Sequence, residues 1–344
     1  MAHQPHRRRR RGRAARRDQP RGRGPAASER DGRDTVIRVE NVSHWFGAFR
    51  ALTDVTLEVP SNEIFGFIGP NGAGKTTTIR MMATLLEPDV GRVLVQGIDV
   101  VEHPDEVRKV LGFMPDSFGV YDRITVDEYL EFFAAAHGIV LGQRRRTIEA
   151  VIELTELGAV RDRLVQALSK GMKQRLAIAR TLLHDPKVLI LDEPANGLDP
   201  RARIEMRELI EELRRLGKTV MLSSHILTEL SDMCTSVAIL ERGRVVASGS
   251  VDTIGRGLRP ERGVKIRLLA PPEGVDGLLA KAPNVLSVER DPDGAYAMQY
   301  QGGDEALADI VDFAVRERLR IVRVEPDQND LERIFLEVTK GELQ

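Results

Sequence analysis

The sequence contains one cysteine and lacks long apolar runs. Cys234 is the only cysteine in 344 residues, which excludes an internal disulfide and is typical of a reducing cytoplasm. The densest apolar stretches are short, such as residues 188–191, whereas a membrane-spanning helix needs about 18 to 20 apolar residues. The arginine-rich N-terminus is not followed by an apolar segment, so it does not resemble a secretory signal. We therefore expect a cytoplasmic chain that reaches a membrane only through a partner.

The N-terminal segment also lacks aromatic and β-branched residues. Residues 1–34 carry 12 Arg and four acidic residues, a charge of +8, whereas the whole chain has a net charge of −1, so the rest sums to −9. Such a composition has little to bury, and residues 1–35 are predicted to be disordered. Two interpretations remain open: a solvated extension, or a contact with anionic lipid headgroups or nucleic acid.

After the N-terminal segment, the sequence has the alternation of strands and helices that is typical of α/β proteins. The length, with 42% hydrophobic and 30% charged residues, allows one large α/β domain and a smaller one. Over residues 36–257, short apolar runs alternate with helical patterns, which predicts a mainly parallel sheet covered by helices. The predicted strands are residues 64–68, 92–96, 188–191, 219–222 and 237–240. Apolar spacing predicts a helix over 202–216, after Asp199 and before Gly217, and another helix whose apolar face includes Ile148 and Leu157.

A second domain is predicted at residues 258–344. Residues 255–263 are predicted to be a linker. Beyond it, a β-α-β-β-α-β order predicts a small α+β domain of the ferredoxin-like type, followed by a last helix over residues 330–342. The predicted elements are strands at 264–269, 285–290, 295–301 and 319–324, and helices at 275–281 and 305–317.

The string GPNGAGKTT, residues 69–77, predicts a phosphate-binding loop. It follows the apolar strand FGFI and leads into a helical pattern, as this motif requires. Glycines let consecutive backbone N–H groups point at phosphates, and the helix N-terminus adds a positive dipole end. Lys75 is expected to reach the β- and γ-phosphates, and Thr76 to bind Mg²⁺. The remaining candidate nucleotide-binding residues of the loop are Gly69, Asn71, Gly72, Ala73, Gly74 and Thr77.

Polar residues follow two other predicted strands. Asp192 and Glu193 end the strand in VLILDEP, at the edge of the sheet where open α/β sheets bind ligands. Asp192 is suited to hold magnesium, and Glu193 to polarise the water that attacks the γ-phosphate. His225, in MLSSHIL, could donate a hydrogen bond to that phosphate. Asp199 in NGLDP either lies near the nucleotide or only caps the following helix.

The strings GPNGAGKTT, LSKGMKQRL, LILDEP, NGLDP and SSHIL, in this order over about 160 residues, resemble the ATP-binding subunits of ABC transporters. The resemblance implies a P-loop NTPase fold with a helical subdomain, and ATP and Mg²⁺ as ligands. It also implies paired nucleotide-binding domains, in a homodimer or with a similar chain, each closing the other's site. Ser169 and the backbone N–H of Gly171 would then face a γ-phosphate held by the partner's loop. Phe46 matches the aromatic residue that stacks on adenine, with Trp45 as the less favoured choice.

Three positions depart from the family pattern. Lys170 and Met172 stand where the signature segment, residues 168–172, usually has Gly and Gln; the cation of Lys170 is compatible with a polyphosphate. Asp116 stands where the family has a Gln that touches magnesium. A carboxylate can bind magnesium but cannot donate a hydrogen bond, so Asp116 puts coupling to the membrane subunit in doubt more than nucleotide binding.

These features look most like the export-type, drug-resistance-like subfamily. The leading hypothesis is an ATPase that powers export through a separate transmembrane permease, at the cytoplasmic face of the membrane. Residues 117–137, which include Tyr129, Leu130, Phe132 and Phe133, either line a groove for the permease or form a core helix. The alternatives are a soluble ATPase acting on ribosomes or DNA, and a nucleotide sensor without turnover. A ribosome or DNA is the less expected main partner, because ribosome-associated members of the family usually carry two such domains in one chain and DNA-repair members insert long coiled coils, and the sequence shows neither.

Overall fold

A computed structural model describes residues 34–117, 119, 121, 123–225, 230, 233–250, 254, 261–291 and 293–326. The predicted disordered tail, the final helix over 330–342 and most of the predicted linker lie outside the described residues. Among the helices of the described residues, none is long and apolar enough to cross a membrane.

The strands and helices of the larger domain follow one another from Thr35 to Ser250. The strands are β1 (Thr35–Phe46), β2 (Phe49–Pro60), β3 (Ile64–Ile68), β4 (Val90–Val95), β5 (Ile98–Asp99), β6 (Leu111–Met114), β7 (Val188–Asp192), β8 (Thr219–Ser224), β9 (Ser236–Glu241) and β10 (Arg244–Ser250). The helices are α1 (Lys75–Met82), α2 (Pro104–Val110), α3 (Val126–Ala136), α4 (Leu141–Leu154), α5 (Lys170–Leu182) and α6 (Pro200–Arg215).

The main sheet has the order β10-β9-β3-β8-β7-β6, and its neighbours are parallel except β10, which runs antiparallel to β9. Its strands β3, β7 and β8 are buried along their whole length because both faces of the sheet are covered there. In β7, Leu189 and Leu191 pack into the core shared with the helices α3 to α6, whereas Val188 and Ile190 pack on the opposite side. The predicted parallel sheet is confirmed, with strand ends within about two residues of the prediction.

A separate antiparallel sheet, β2-β1-β4-β5, covers one side of the main sheet. The sequence analysis did not predict this second sheet. Of its strands only β4 was predicted, as residues 92–96. The turn at Gly47, with φ of 62°, joins the long strands β1 and β2, and Phe46 and Phe49 face each other across it. Backbone irregularities interrupt the pairing of β1 with β2, which weakens the period-two pattern that reveals a strand.

The helices correct one prediction and decide one alternative that the sequence left open. Leu157 does not belong to α4, which ends at Leu154, yet its side chain is buried in the same core. Tyr129 and Leu130 are fully buried in α3, so they are core residues and cannot line a groove for a partner helix. Phe132 on the same helix remains half exposed, at 52%. Helix α6 confirms the predicted segment, and Asp199 caps it by accepting a hydrogen bond from Ala202 N at 2.9 Å.

The C-terminal elements have the predicted order: β11 (Glu261–Leu268), α7 (Val275–Leu279), β12 (Val285–Arg290), β13 (Tyr296–Gln301), α8 (Asp304–Arg316) and β14 (Ile321–Pro326). They form an antiparallel sheet, β12-β13-β11-β14, whose alternate residues Tyr296, Met298 and Tyr300 enter one core with the helices. Residues 261–263 are not linker, because they pair with β13. The domain boundary at residues 257 and 258 lies outside the described residues and stays a prediction.

Candidate active site

The candidate residues meet at one edge of the main sheet. Strands β3, β8, β7 and β6 are consecutive neighbours, and the first three are parallel with β6. Their carboxyl ends lead to the phosphate loop, to His225, to the Asp192-Glu193 pair and to Asp116, respectively. Four segments that are distant in sequence therefore share one edge, where open α/β sheets bind their ligands.

The phosphate loop has the backbone that its glycines permit. Gly72 and Gly74 have φ of 83° and 105°, in the left-handed region that favours glycine. A Cβ on Gly74 would also lie 2.6 Å from Leu52 Cδ2, so another residue there would displace the buried Leu52 side chain as well as strain the backbone. Asn71 and Gly72 are exposed at the tip of the loop, Ala73 is buried behind it, and Thr77 is half-buried in the first turn of α1. The loop thus presents its backbone outward from a packed base.

Lys75 is the buried cation of the site. Its Nζ donates hydrogen bonds to the carbonyl oxygens of Gly69 at 2.6 Å and Pro70 at 3.4 Å, and lies 3.7 Å from Glu193 Oε1. Burial lowers the pKa of Lys75, and the charges of Glu193 and Asp192 oppose that shift. The ammonium is held by two loop carbonyls, which a phosphate oxygen could replace as a stronger acceptor.

Asp192 is buried to 1% exposure and has two hydroxyl partners. Thr76 Oγ1 donates to Asp192 Oδ2 at 3.3 Å, and Ser223 Oγ donates to Asp192 Oδ1 at 2.5 Å. Burial raises the pKa of Asp192, and the neighbouring charges of Asp116 and Glu193 act in the same direction, against the hydrogen bond from Ser223. A carboxylate crowded by negative charge is a favourable place for a cation.

The donors at this place fit Mg²⁺. Thr76 and Asp192 supply hard oxygen ligands, and magnesium commonly takes one or two protein ligands together with substrate phosphates. No cluster of three or more acidic, His or Cys side chains within the described ranges could hold a metal alone. Thr76 and Asp192 are therefore suited to a cation that they share with a bound polyphosphate.

Glu193 has an unusual backbone and two side-chain contacts. Its φ of 52° is in the left-handed region, which costs about 1 to 3 kcal/mol for a residue other than glycine. Its carboxylate lies 2.9 Å from His225 Nδ1 through Oε2, and faces Lys75 through Oε1. The predicted catalytic pair, Glu193 and His225, is therefore in direct contact, and the backbone that carries it is held by its surroundings.

Ser223 was missed by the sequence analysis. Besides its bond to Asp192, its Oγ accepts a hydrogen bond from Glu193 N at 3.0 Å, so one hydroxyl orients both acids. The signal was available in MLSSHIL, because a serine pair ending an apolar strand projects from the same edge as His225. Only the pairing of β7 with β8, which places Asp192 opposite Ser223, shows the contact.

The hairpin of β1 and β2 presents Phe46. The Phe46 side chain is 52% exposed, and His44 packs edge-on against it with ring centroids 4.7 Å apart. Trp45 is held more firmly: its backbone N–H donates to Asp89 Oδ2 at 2.8 Å, and the guanidinium of Arg50 lies 4.9 Å from its ring centroid. Since the Trp45 ring is covered by a cation, Phe46 is the better stacking surface.

The signature segment begins α5. Ser169 caps this helix by accepting a hydrogen bond from Met172 N at 3.3 Å. Gly171 packs close to Leu198 and Ala202, and the ammonium of Lys170 lies beside Gly197. No hydrogen bond or ion pair joins residues 169–171 to the phosphate loop within the part of the chain that the structure describes.

Asp116 follows β6 and stays in the candidate magnesium site. Its Oδ1 accepts a hydrogen bond from Ser117 N at 2.8 Å, and its charge contributes to the raised pKa of Asp192. The predicted metal-site residues Thr76, Asp192 and Asp116 are thus in one neighbourhood. The fold and this site define a P-loop nucleotide-binding domain.

Comparisons with known proteins agree with the assignment of a nucleotide-binding domain. Residues 52–196 match the model of the family described as ABC transporter. The chain is 41% identical over 217 residues to the ABC transporter ATP-binding protein NatA of Bacillus subtilis, covering 62% of this chain and 87% of that protein. It is 33% identical over 315 residues to the daunorubicin/doxorubicin resistance ATP-binding protein DrrA of Streptomyces peucetius, covering 88% and 92%. A solved ATP-binding subunit of an ABC transporter matches with a TM-score of 0.59 and 33% identity, over 65% of this chain and 93% of that one.

This chain belongs to the family of ABC transporter ATP-binding proteins. It is an ATP-binding and ATP-hydrolysing subunit, and subunits of this family work with a membrane partner. The resemblance seen in the sequence is confirmed.

Replacing Asp192 by Asn should stabilise the nucleotide-free protein while removing a magnesium ligand. Asn keeps an oxygen that can accept the hydrogen bond from Ser223, but it places no charge in the buried site. We therefore expect the free energy of unfolding to rise by about 1 kcal/mol, which corresponds to a rise of roughly 2 to 4 °C in Tm at neutral pH. The pKa of Asp192 is higher in the folded protein than in the unfolded protein. The charge of Asp192 therefore destabilises the folded protein to its full extent only when the pH is above the pKa in the folded state. The Tm difference should therefore shrink as the pH falls through that pKa.

Thermal denaturation without nucleotide measures this difference at several pH values. The exposed Asp309, on α8, provides the control Asp309→Asn, which should leave Tm unchanged. An Asp192→Asn variant less stable than the parent at neutral pH would show that the carboxylate is needed for the fold.

Proposed function

We propose that this chain hydrolyses Mg-ATP in a site completed by a second nucleotide-binding domain, and that it powers export through a separate membrane subunit. The observation that carries the proposal is the contact of Glu193 with both His225 and Lys75, beside Asp192 and Thr76. This arrangement places a base, a phosphate-binding cation and a candidate magnesium site at one edge of the sheet. A sensor without turnover would have no use for the strained Glu193 and its histidine.

Each residue of the site has one proposed role. Lys75 binds the β- and γ-phosphates when its ammonium leaves the loop carbonyls, and the backbone N–H groups of residues 69–77 surround the phosphates. Thr76 and Asp192 hold Mg²⁺, with Asp116 beside them; the ion supplies charge neutralisation on the phosphates. Glu193 polarises the attacking water, and His225 orients Glu193 and faces the γ-phosphate. Phe46 stacks on the adenine.

The second domain is proposed because, within the described residues, no hydrogen bond or ion pair joins the signature segment to this chain's own phosphate loop. Ser169 and Gly171 lie at the N-terminus of α5, where backbone N–H groups and the helix dipole favour an anion. A partner chain arranged head to tail would supply that anion as its bound triphosphate. Two copies of this chain, or this chain with a similar one, would then share two sites.

The membrane partner is proposed to dock near α3. Tyr121 and Phe132 are exposed at 55% and 52%, and their rings meet edge-on with centroids 5.4 Å apart. Exposed aromatic pairs are common anchors of protein interfaces. Location at the cytoplasmic face of the membrane follows from such a partner, and the similarity to a drug-resistance ATP-binding protein along 88% of the chain supports export. No observation in the described residues favours a ribosome or DNA as the partner instead.

The Ser169→Ala variant tests whether the site is shared. We expect kcat for ATP to fall about tenfold or more, because a group that contacts the transferring phosphate is lost, while the affinity of the monomer for ATP stays within about twofold. Steady-state ATPase assays and fluorescence titration of ATP measure the two quantities. An equal loss of kcat and of monomer affinity would argue against a site shared between chains.

Copurification tests the transport role. The tagged chain, extracted from native membranes with mild detergent, should carry a hydrophobic subunit and show ATPase activity that the reconstituted subunit stimulates. If the active chain instead sedimented with ribosomes or DNA, the transport part of the proposal would fail while the ATPase part would stand.

A further inference from the structure

His44 is a buried polar residue beside the proposed base-stacking ring of Phe46. It is 7% exposed, and it stands two residues before Phe46 in β1. The planes of the two rings are inclined by 86°, with centroids 4.7 Å apart. An edge-to-face contact of this kind favours one orientation of an exposed ring over the others. The orientation of the Phe46 ring therefore depends on His44.

The surroundings of the His44 ring differ from those of an ordinary core residue. Its Nδ1 lies 2.8 Å from Asp89 Oδ2, close enough for an ion pair but not aligned for a hydrogen bond. Its Nε2 is buried and has no hydrogen-bond partner among the described residues. Buried polar atoms without such partners destabilise a fold, and native proteins contain few of them. An apolar ring would fill the same space without this cost, which indicates that His44 does more than fill space.

Asp89 contacts three successive residues of β1 just before Phe46. Its backbone N–H donates to the carbonyl oxygen of Ser43 at 3.2 Å. Its carboxylate accepts the backbone N–H of Trp45 at 2.8 Å and lies beside the His44 ring. Asp89 directly precedes β4, which pairs with β1 in the antiparallel sheet. The position of Asp89 is thus set by the sheet rather than by the exposed tip of the hairpin.

We propose that His44 and Asp89 are positioning residues for nucleobase binding, which hold the Phe46 ring in the orientation that stacks on adenine. This inference rests on the proposed function, because it takes Phe46 as the stacking residue. A ring that is already fixed loses less conformational freedom when a base binds, so the affinity for the base rises. His44 and Asp89 therefore act on the base alone, whereas Lys75 and its loop act on the phosphates.

A comparison of ATP with inorganic tripolyphosphate, which has phosphates but no base, separates these two actions. In the full-length chain with Mg²⁺, His44→Ala should raise the Kd for ATP about fivefold and leave the Kd for tripolyphosphate within about twofold of the parental value. Displacement of a fluorescent ATP analogue measures both constants. An equal rise in both would overturn the proposal, because His44 would then shape the phosphate loop. An unchanged Kd for ATP would overturn it as well.

Asp89→Ala is a second variant, and it decides the question if His44→Ala fails to fold. The Asp89 side chain is 48% exposed, so its truncation should leave the fold intact, which equal Tm values would check. We expect the same pattern: a Kd for ATP about fivefold higher and a nearly unchanged Kd for tripolyphosphate. Parental affinity for ATP would refute the proposed positioning. The matched control is His103→Ala, the loss of an exposed histidine before α2, which should change neither constant.

A double-mutant cycle tests whether His44 acts through the stacking ring, and it suffices even if tripolyphosphate binds too weakly to measure. Phe46→Ala alone should raise the Kd for ATP about tenfold, and adding His44→Ala should raise it by less than about twofold more. A further fivefold rise would overturn the proposal. If Phe46→Ala has no effect, the stacking role in the proposed function fails together with this inference. An effect of Phe46→Ala without one of His44→Ala refutes this inference alone.

Discussion

Glu193→Gln should lower kcat for ATP about a hundredfold or more and leave an ATP-bound dimer. The amide keeps the size of the side chain and can still contact His225, but it cannot accept the proton of the attacking water. Binding survives because Lys75 and the loop are unchanged, so the closed complex accumulates. Phosphate release measures kcat, and light scattering with Mg-ATP measures the mass.

Glu87→Gln is the matched control, since Glu87 is exposed at the end of the segment after α1. It should hydrolyse ATP at the parental rate and form no trapped dimer. A Glu193→Gln protein that remains monomeric at saturating Mg-ATP would contradict the shared site, whereas undiminished turnover would remove Glu193 from the role of base.

Lys75→Ala should weaken ATP binding at least about thirtyfold. Lys75 is 6% exposed, and truncating one partner of a buried charge pair costs about 2 to 5 kcal/mol. Its loss would leave the carboxylate of Glu193 without a cation and the triphosphate without its main positive side chain. Titration of a fluorescent ATP analogue into the full-length protein measures the Kd.

An exposed lysine on α2 supplies the comparison. Lys109→Ala removes the same charge far from the loop in sequence and should bind the analogue with parental affinity. Unchanged binding by Lys75→Ala, with the fold intact by circular dichroism, would refute the assignment of the phosphate loop.

Local patterns were enough for the main elements of the site. The motif around Lys75 carries its own strand, turn glycines and helix, so neighbouring residues determine its shape. The acids at 192 and 193 follow an apolar strand whose length and ending are visible in the sequence. For residues 117–137 the sequence left a groove and a core helix as alternatives. Tyr129 and Leu130 are apolar and helical in either interpretation, and only packing shows that they are core.

Some contacts join residues that no pattern relates. Ser223 touches Asp192 and Glu193 because β8 lies between β3 and β7, an order that connection lengths do not reveal. The antiparallel sheet of β1 and β2 was missed because interrupted pairing blurs the alternation of its side chains. Phe46 was preferred to Trp45 from family resemblance, and the structure adds a physical reason, the cation lying over the Trp45 ring.

The sequence by itself determined that this chain has a phosphate loop, an acid pair after a buried strand and an ABC-type order of motifs. These depend on residues close together along the chain, whose backbone preferences and apolar spacing act locally. Only the tertiary structure decided that Ser223 orients both acids, that Glu193 holds a left-handed backbone and that Lys170 lies on Gly197. Such contacts arise from the pairing of strands and the packing of helices, which bring together side chains separated by about 30 residues or more.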